Sequence, residues 1–341
     1  MTTTELCFLL AAADGTSGDE MAAAAVVKKL FSPYMKTEAD ALGNLRGQCG
    51  SGKTKILLDA HIDRVGLVVR GIDDKGFLLV EQVGGVDPRV LVGAEVIVMG
   101  KTQLTGVVCS TPPHLLTKEQ KEAGVELKHL AVDVGMEKEE VAALVSIGDR
   151  ILFDRNQYEL LGTRIVSSGF DDRCSIAALL KAVEAVHDRL QNCTLIVQCS
   201  VQEEVGGSGA RTGAFQAEAD YAIAVDVGFG TDPYCDKTET IDLGKGPSIG
   251  ISPVLDRELT QELIALAKEN GIPYQHDVMS SRTGTNADQI QISRGGVKTA
   301  LLSIPLRSMH TPVEIIDTRD VEQTAALLTA FILAKEAQTD A

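Results

Sequence analysis

Basic residues are scarce in this chain. There are 32 Lys plus Arg against 48 Asp plus Glu, a formal net charge of −16, and a surface so acidic repels nucleic acid phosphates and anionic lipid. Neither partner class is expected. No apolar run approaches the roughly 18 residues that a transmembrane helix needs. The apolar stretch within "MTTTELCFLLAAADG" has no basic residues ahead of it, which argues against a signal peptide. The seven cysteines, Cys7, Cys49, Cys109, Cys174, Cys193, Cys199 and Cys235, are odd in number and scattered, with no CxxC pair. That pattern excludes a thiolate metal site and a disulfide framework, and it suits reduced thiols in the cytoplasm. Repeats, low-complexity tracts and long linkers are absent too.

What is present is length and alternation. A chain of 341 residues is long enough for a large core and, at roughly 100 to 200 residues per domain, for two domains. "EMAAAAVVKKLF" (20–31) reads as an amphipathic helix and "KTKILLDAHID" (53–63) as a buried strand ending in polar residues. Between about Val65 and Phe153, short runs such as "GFLLVEQV", "AEVIVMG" and "LTGVVCS" alternate with glycine turns. A β-rich insert is expected there, a small barrel carrying one helix near "EKEEVAALV". From about Asp154 helices and strands alternate: a helix over 174–190, strands over 194–201 and 221–227, a helix over 257–271, a strand over 297–305, and a closing helix "TRDVEQTAALLTAFILAKEA". This alternation predicts an α/β sheet covered on both faces.

In open α/β sheets the chemistry gathers beyond the carboxyl ends of the strands. Four apolar runs finish in, or just ahead of, metal-ligand residue types: His61 and Asp63, Glu203 and Glu204, Asp226, and His310. A further pair, Asp171 and Asp172, sits before a predicted helix. Singly, each has a plain structural reading. A histidine at a strand end is commonly just hydrogen-bonded, "DDR" suits a helix N-terminus, and "QEE" suits a solvated turn. Together they supply two imidazoles and several carboxylates, enough for two zinc or cobalt ions about 3.5 to 4 Å apart with one carboxylate between them. One glutamate of the 203–204 pair would then hold metal while its neighbour moves a proton. Adjacent side chains of an extended strand point to opposite sides, so the chain must turn there, and Gly206, Gly207 and Gly209 permit it.

"DAHIDRVG", "GFDDR", "VQEEVGGSGA", "VDVG" and "RSMHTPVE", in that order, resemble the M42 family of dinuclear metallo-aminopeptidases. "GTSGDE", "DALGNLRG", "GGVDPRVLVG" and "GTNAD" extend the likeness over nearly the whole chain. The resemblance implies an α/β fold of the zinc-peptidase/phosphorylase type, a mixed sheet flanked by helices with an inserted small β-barrel. Residues 1–64 and 154–341 would form a discontinuous catalytic domain, and 65–153 an inserted dimerisation domain. It also implies two divalent cations, zinc or cobalt, one held by His61, Asp171 and Asp226 and the other by Asp171, Glu204 and His310. Glu203 would be the general base and Asp63 would orient His61. Short peptides would be the substrates, and dimers would assemble into a hollow dodecamer. Arg64 departs from the family pattern, where an acidic residue is usual, and brings positive charge beside the motif. A dinuclear deacylase of N-acyl amino acids and a catalytically weak metal-binding assembly protein are the competing readings. Elsewhere, His114 and His129 read as structural or interfacial, His187 as helical, His276 as a loop residue, and Arg307 as a salt-bridge partner.

Overall fold

The computed structural model describes residues 1–341 except 234, 237–239 and 339–341, and all side chains of the described helices and strands except that of residue 120. An eleven-stranded mixed sheet carries the functional groups. Its centre is four parallel strands in the spatial order Cys193–Ser200, Thr54–His61, Tyr221–Phe229 and Lys298–Arg307. The first three are nearly continuous apolar runs because helices cover both faces. Cys193–Ser200 is buried at every position. Antiparallel strands extend the sheet on both sides.

The helix Phe170–Val186 covers the sheet and starts four residues ahead of the expected position, so Asp171 and Asp172 lie in its first turn. They do not have helical dihedral angles, and the peptide bond between them is cis. Helices Met21–Phe31, Arg257–Glu269 and Thr318–Ala337 fall where hydrophobic periodicity places them. The apolar stretch near the start of the chain forms a helix, Thr3–Ala11, closed at its start by a Thr2–Glu5 capping box.

Between these halves, the strands Gly66–Ile72, Leu78–Val83, Leu130–Asp133, Gln103–Ser110, Glu95–Met99 and Arg150–Phe153 close in that order into an antiparallel barrel. The barrel has its own core, built on Leu67, Val69, Leu78, Val96, Val98, Val132 and Ile151. One helix of the insert, Lys138–Leu144, lies where expected, and Pro88–Leu91 and Lys118–Ala123 are further helices there. Among the described residues, no helix is long and apolar enough to cross a membrane.

Two buried arginines tie the N-terminal helix to the functional end of the sheet. Arg173 is wholly buried and donates to four carbonyls: Ile62 at 2.6 Å, Leu10 at 2.8 Å, Ala13 at 3.0 Å and Gly15 at 3.2 Å. Arg64 donates to Ala11 O at 3.2 Å, Phe153 O at 3.0 Å and Ser168 Oγ at 3.3 Å. Its positive charge is therefore engaged with carbonyls that join helix, barrel and sheet. Replacing Arg173 with leucine takes the side-chain donor from four carbonyls, of which Leu10 O and Gly15 O keep backbone donors, and a loss on the order of 3 kcal/mol is expected. Urea denaturation would measure it; a loss under about 1 kcal/mol would mean those carbonyls find other donors.

Candidate metal centre

Each candidate side chain reaches the same place by a different element. His61 is the last residue of the strand Thr54–His61, and Asp226 lies inside Tyr221–Phe229. His310 follows Lys298–Arg307 by three residues, and Glu203 and Glu204 follow Cys193–Ser200 by three and four. Asp171 is the second residue of the helix Phe170–Val186. Because the four strands are parallel, their carboxyl ends share one edge, and all six residues line a single cavity of about 710 Å³ there. Asp63 does not line that cavity.

Two histidine-centred groups lie side by side. His61 Nε2 is 3.0 Å from Asp171 Oδ1 and 3.8 Å from Asp226 Oδ1. His310 Nε2 is 3.2 Å from Asp171 Oδ2 and 3.3 Å from Glu204 Oε2. Asp171 belongs to both groups and turns a different oxygen to each. In either group the potential ligand atoms lie within 4.8 Å of one another, close enough to hold a metal ion.

The other nitrogen of each imidazole is engaged by a carbonyl. His61 Nδ1 lies 2.9 Å from Asp63 O, and His310 Nδ1 lies 2.7 Å from Gly85 O. Carbonyls only accept, so both Nδ1 atoms carry hydrogen, and Nε2 is the atom that each ring turns to the cavity. Gly85 belongs to the barrel insert, so the insert helps to orient a side chain of the site. The Asp63 carboxylate, expected to orient His61, approaches its Nδ1 only to 3.5 Å. It also accepts from Ser17 Oγ at 2.6 Å, Glu203 N at 3.0 Å and Glu204 N at 3.3 Å. Its carbonyl holds the imidazole and its carboxylate holds the turn of the two glutamates.

That turn is tighter than glycine alone explains. Gln202 takes a left-handed φ of 60°, ahead of Gly206 at 119° and Gly207 at 73°. Gly209 does not need a positive φ; a Cβ there would come within 2.3 Å of Val201 O and Asn44 Oδ1. His310 itself has φ 60°.

The electrostatics call for positive charge. Burial and then the Asp226, Glu204 and Asp171 carboxylates push Glu203 up to about 9. Burial and then Asp171 push Asp226 up to about 7 and raise Glu204 as well. Burial opposes ionisation of the imidazoles, yet the surrounding carboxylates outweigh it and raise His310 to about 11. Glu204 Oε1 is buried and accepts no hydrogen bond among the described residues. Divalent cations fit this donor set: imidazole nitrogens that a cation would deprotonate, carboxylates crowded together and an unsatisfied acceptor.

The remaining polar residues sort plainly. Asp172 accepts from His61 N at 3.1 Å and so fixes the backbone of the histidine. His187 packs edge-on against Tyr34, and His276 lies in the strand Gln275–Val278 rather than a loop. His114 and His129 are exposed on the insert. Arg307 Nε donates to Thr231 O at 2.6 Å and stands 3.8 Å from Asp232 Oδ1. Ser17 and Gly85 had no signal in the sequence, because neither residue type marks a partner of a carboxylate or an imidazole.

The chain as a whole is similar to known proteins. Residues 43–327 match the family described as M42 glutamyl aminopeptidase. A lysyl aminopeptidase from Pyrococcus furiosus is 35% identical over 302 residues, covering 87% of this chain and 86% of that protein. A solved aminopeptidase from the archaeon Desulfurococcus kamchatkensis is 35% identical, with a TM-score of 0.90 over 97% of this chain and 94% of the other. The TET1 peptidase of Pyrococcus horikoshii, which can assemble into a tetrahedron or a large octahedral shell, is 32% identical, with a TM-score of 0.86 over 97% and 99%. The chain therefore belongs to the M42 family of metal-dependent aminopeptidases, hydrolases that remove residues from peptide amino termini.

Proposed function

We propose that this aminopeptidase cleaves short peptides with Glu203 as general base beside a pair of divalent cations. His61, Asp171 and Asp226 would hold one cation and Asp171, Glu204 and His310 the other. The observation that carries this reading is Asp171, whose two oxygens face different histidines at 3.0 and 3.2 Å in the cavity that Glu203 also lines. Cations bound there supply Lewis acidity, acidifying water toward neutrality and polarising a carbonyl. Zinc and cobalt both suit these nitrogen and oxygen donors.

The protein's own groups do the rest. Asp63 holds the amide of Glu203 and so fixes the backbone from which the Glu203 carboxylate reaches the cavity. From there it takes a proton from the attacking water and returns it to the leaving nitrogen. The Nδ1–H bonds of His61 and His310 keep both rings in the tautomer that leaves Nε2 available.

Residues 65–153 serve as the dimerisation unit, and the chain assembles as a homo-oligomer, as its TET1 relative does. The dodecamer is the closed form of that assembly, and the seven free cysteines suit the reducing cytoplasm.

The test uses aminoacyl p-nitroanilides and their N-acetylated counterparts on metal-stripped protein reloaded with zinc or cobalt. Metal-dependent release from free-amine substrates alone is the expected result. Release only from blocked substrates would make it a deacylase.

The same panel reads a side-chain preference. Asp277, half-buried in the cavity wall, has no hydrogen bond or ion pair to its carboxylate among the described residues, and burial raises its pKa. Of the other charged groups on that segment, Arg282 is exposed and Asp288 accepts from Thr283 and Gly284. A cationic side chain would compensate Asp277, so lysyl and arginyl substrates are expected to lead, in keeping with the name of the Pyrococcus furiosus relative. Asp277→Asn should lower kcat/KM for the lysyl substrate about tenfold and leave the leucyl substrate unchanged. Equal changes for both substrates would remove Asp277 from specificity.

A further inference from the structure

Glu314 is 2% exposed, and its carboxylate accepts three backbone hydrogen bonds. Oε2 takes Phe170 N at 2.7 Å and Asp171 N at 3.3 Å, and Oε1 takes His310 N at 3.0 Å. The sheet explains how one side chain reaches both. The strand Glu314–Asp317 lies between Arg164–Ser167 and Lys298–Arg307 and is antiparallel to each. Its first residue therefore stands where those two strands end, and from those ends the chain runs on to Asp171 and to His310. Ser167 is the register partner of Glu314.

We propose that Glu314 is a positioning residue for the metal centre: it sets the separation between Asp171 and His310 and so shapes the second cation site. The inference rests on the ligand assignment proposed above. Only an acceptor with two free oxygens suits this position, since all three partners are N–H donors. His310 and Ser308 both hold left-handed φ values, 60° and 56°, which non-glycine residues adopt only when their surroundings enforce it. The bond from His310 N to Glu314 is one such constraint, and the ring bond to Gly85 is another. Glutamine in place of Glu314 would turn an NH2 toward one of the amides and free either Asp171 or His310.

The experiment is cobalt titration of metal-stripped full-length protein, read by the visible absorption of bound cobalt alongside thermal melting of the stripped state. Glu314→Gln should weaken one of the two binding steps by about 10 to 100-fold while the other step moves less. Glu314→Asp keeps the charge and loses reach, so it should fall between wild type and the amide; it carries the test where the glutamine variant folds poorly. A lowered melting temperature with both cobalt affinities unchanged would make Glu314 a purely structural residue and overturn the proposal. Wild-type protein that binds no cobalt would overturn the ligand assignment itself, and the role of Glu314 with it.

Discussion

Glu203→Gln is expected to lower kcat by a hundredfold or more while cobalt content stays at the wild-type level. Proton transfer by a positioned carboxylate contributes roughly 10²- to 10⁴-fold, and glutamine keeps its shape without its basicity. The turn that carries residue 203 should survive the change. It is fixed by backbone contacts, the amides of residues 203 and 204 on Asp63 and the amide of Gly207 on the carbonyls of residues 202 and 203. The Glu203 carboxyl accepts no hydrogen bond among the described residues, so no structural contact is lost with it. Crowding by Asp226, Glu204 and Asp171, added to burial, is what holds its proton affinity high. Cations between those carboxylates would bring that affinity down toward the range a base at neutral pH needs. The check is kcat at saturating substrate with metal measured on the same sample. A rate within threefold of wild type, about 0.7 kcal/mol in barrier, would remove Glu203 from proton transfer.

The residue types of this site could be read in the sequence, and its supports could not. Strand ends marked by His61, Asp226 and the Glu203–Glu204 pair stood out because apolar runs stop abruptly in ligand chemistry. The four parallel strands were legible for the same reason: continuous burial leaves continuous apolar sequence. Leu45–Gly50, "LRGQCG", gave no such signal, because two glycines and polar side chains hide a strand that pairing with Cys193–Ser200 imposes. A Cβ at Gly47 would press to 2.6 Å from Met35 Sδ, which is a reason the segment is plain. Ser248–Ile251 and Gln275–Val278 are four residues each, too short for periodicity to register. The barrel was visible as texture, glycine turns between β-branched runs, but its contact with His310 runs through the carbonyl of Gly85, and backbone groups have no letter in the sequence. Asp63 shows the limit most clearly. Its spacing from His61 suggested a carboxylate behind an imidazole, and that carboxylate stands 3.5 Å from Nδ1; no letter showed that the carbonyl of Asp63 would lie closer, at 2.9 Å, or that the carboxylate would also hold the glutamate turn.

Asp171→Ala is expected to abolish tight binding of both cations, whereas Glu204→Ala should cost one. Asp171 is the only residue common to the two histidine-centred groups among the described residues, presenting Oδ1 to one and Oδ2 to the other. Without it His61 would retain Asp226 at 3.8 Å, and His310 would retain Glu204 at 3.3 Å. Two protein ligands apiece fall short of the three that catalytic sites of this kind use. Removing Glu204 leaves the group of His61, Asp171 and Asp226 complete and strips only the other. Neither change should unfold the chain. Each relieves repulsion among crowded carboxylates, and Asp171 is held through its amide by Glu314, a bond that alanine keeps. Metal content after dialysis against a weak chelator should thus fall from about two per chain to about none for Asp171→Ala and to about one for Glu204→Ala, with peptide hydrolysis at background in both. Equal losses in the two variants would mean that the cations bind cooperatively through Glu204 as well as Asp171. A full complement retained in Asp171→Ala would show that the shared carboxylate is not what joins the sites, and the pairing drawn from its two oxygens would have to be abandoned.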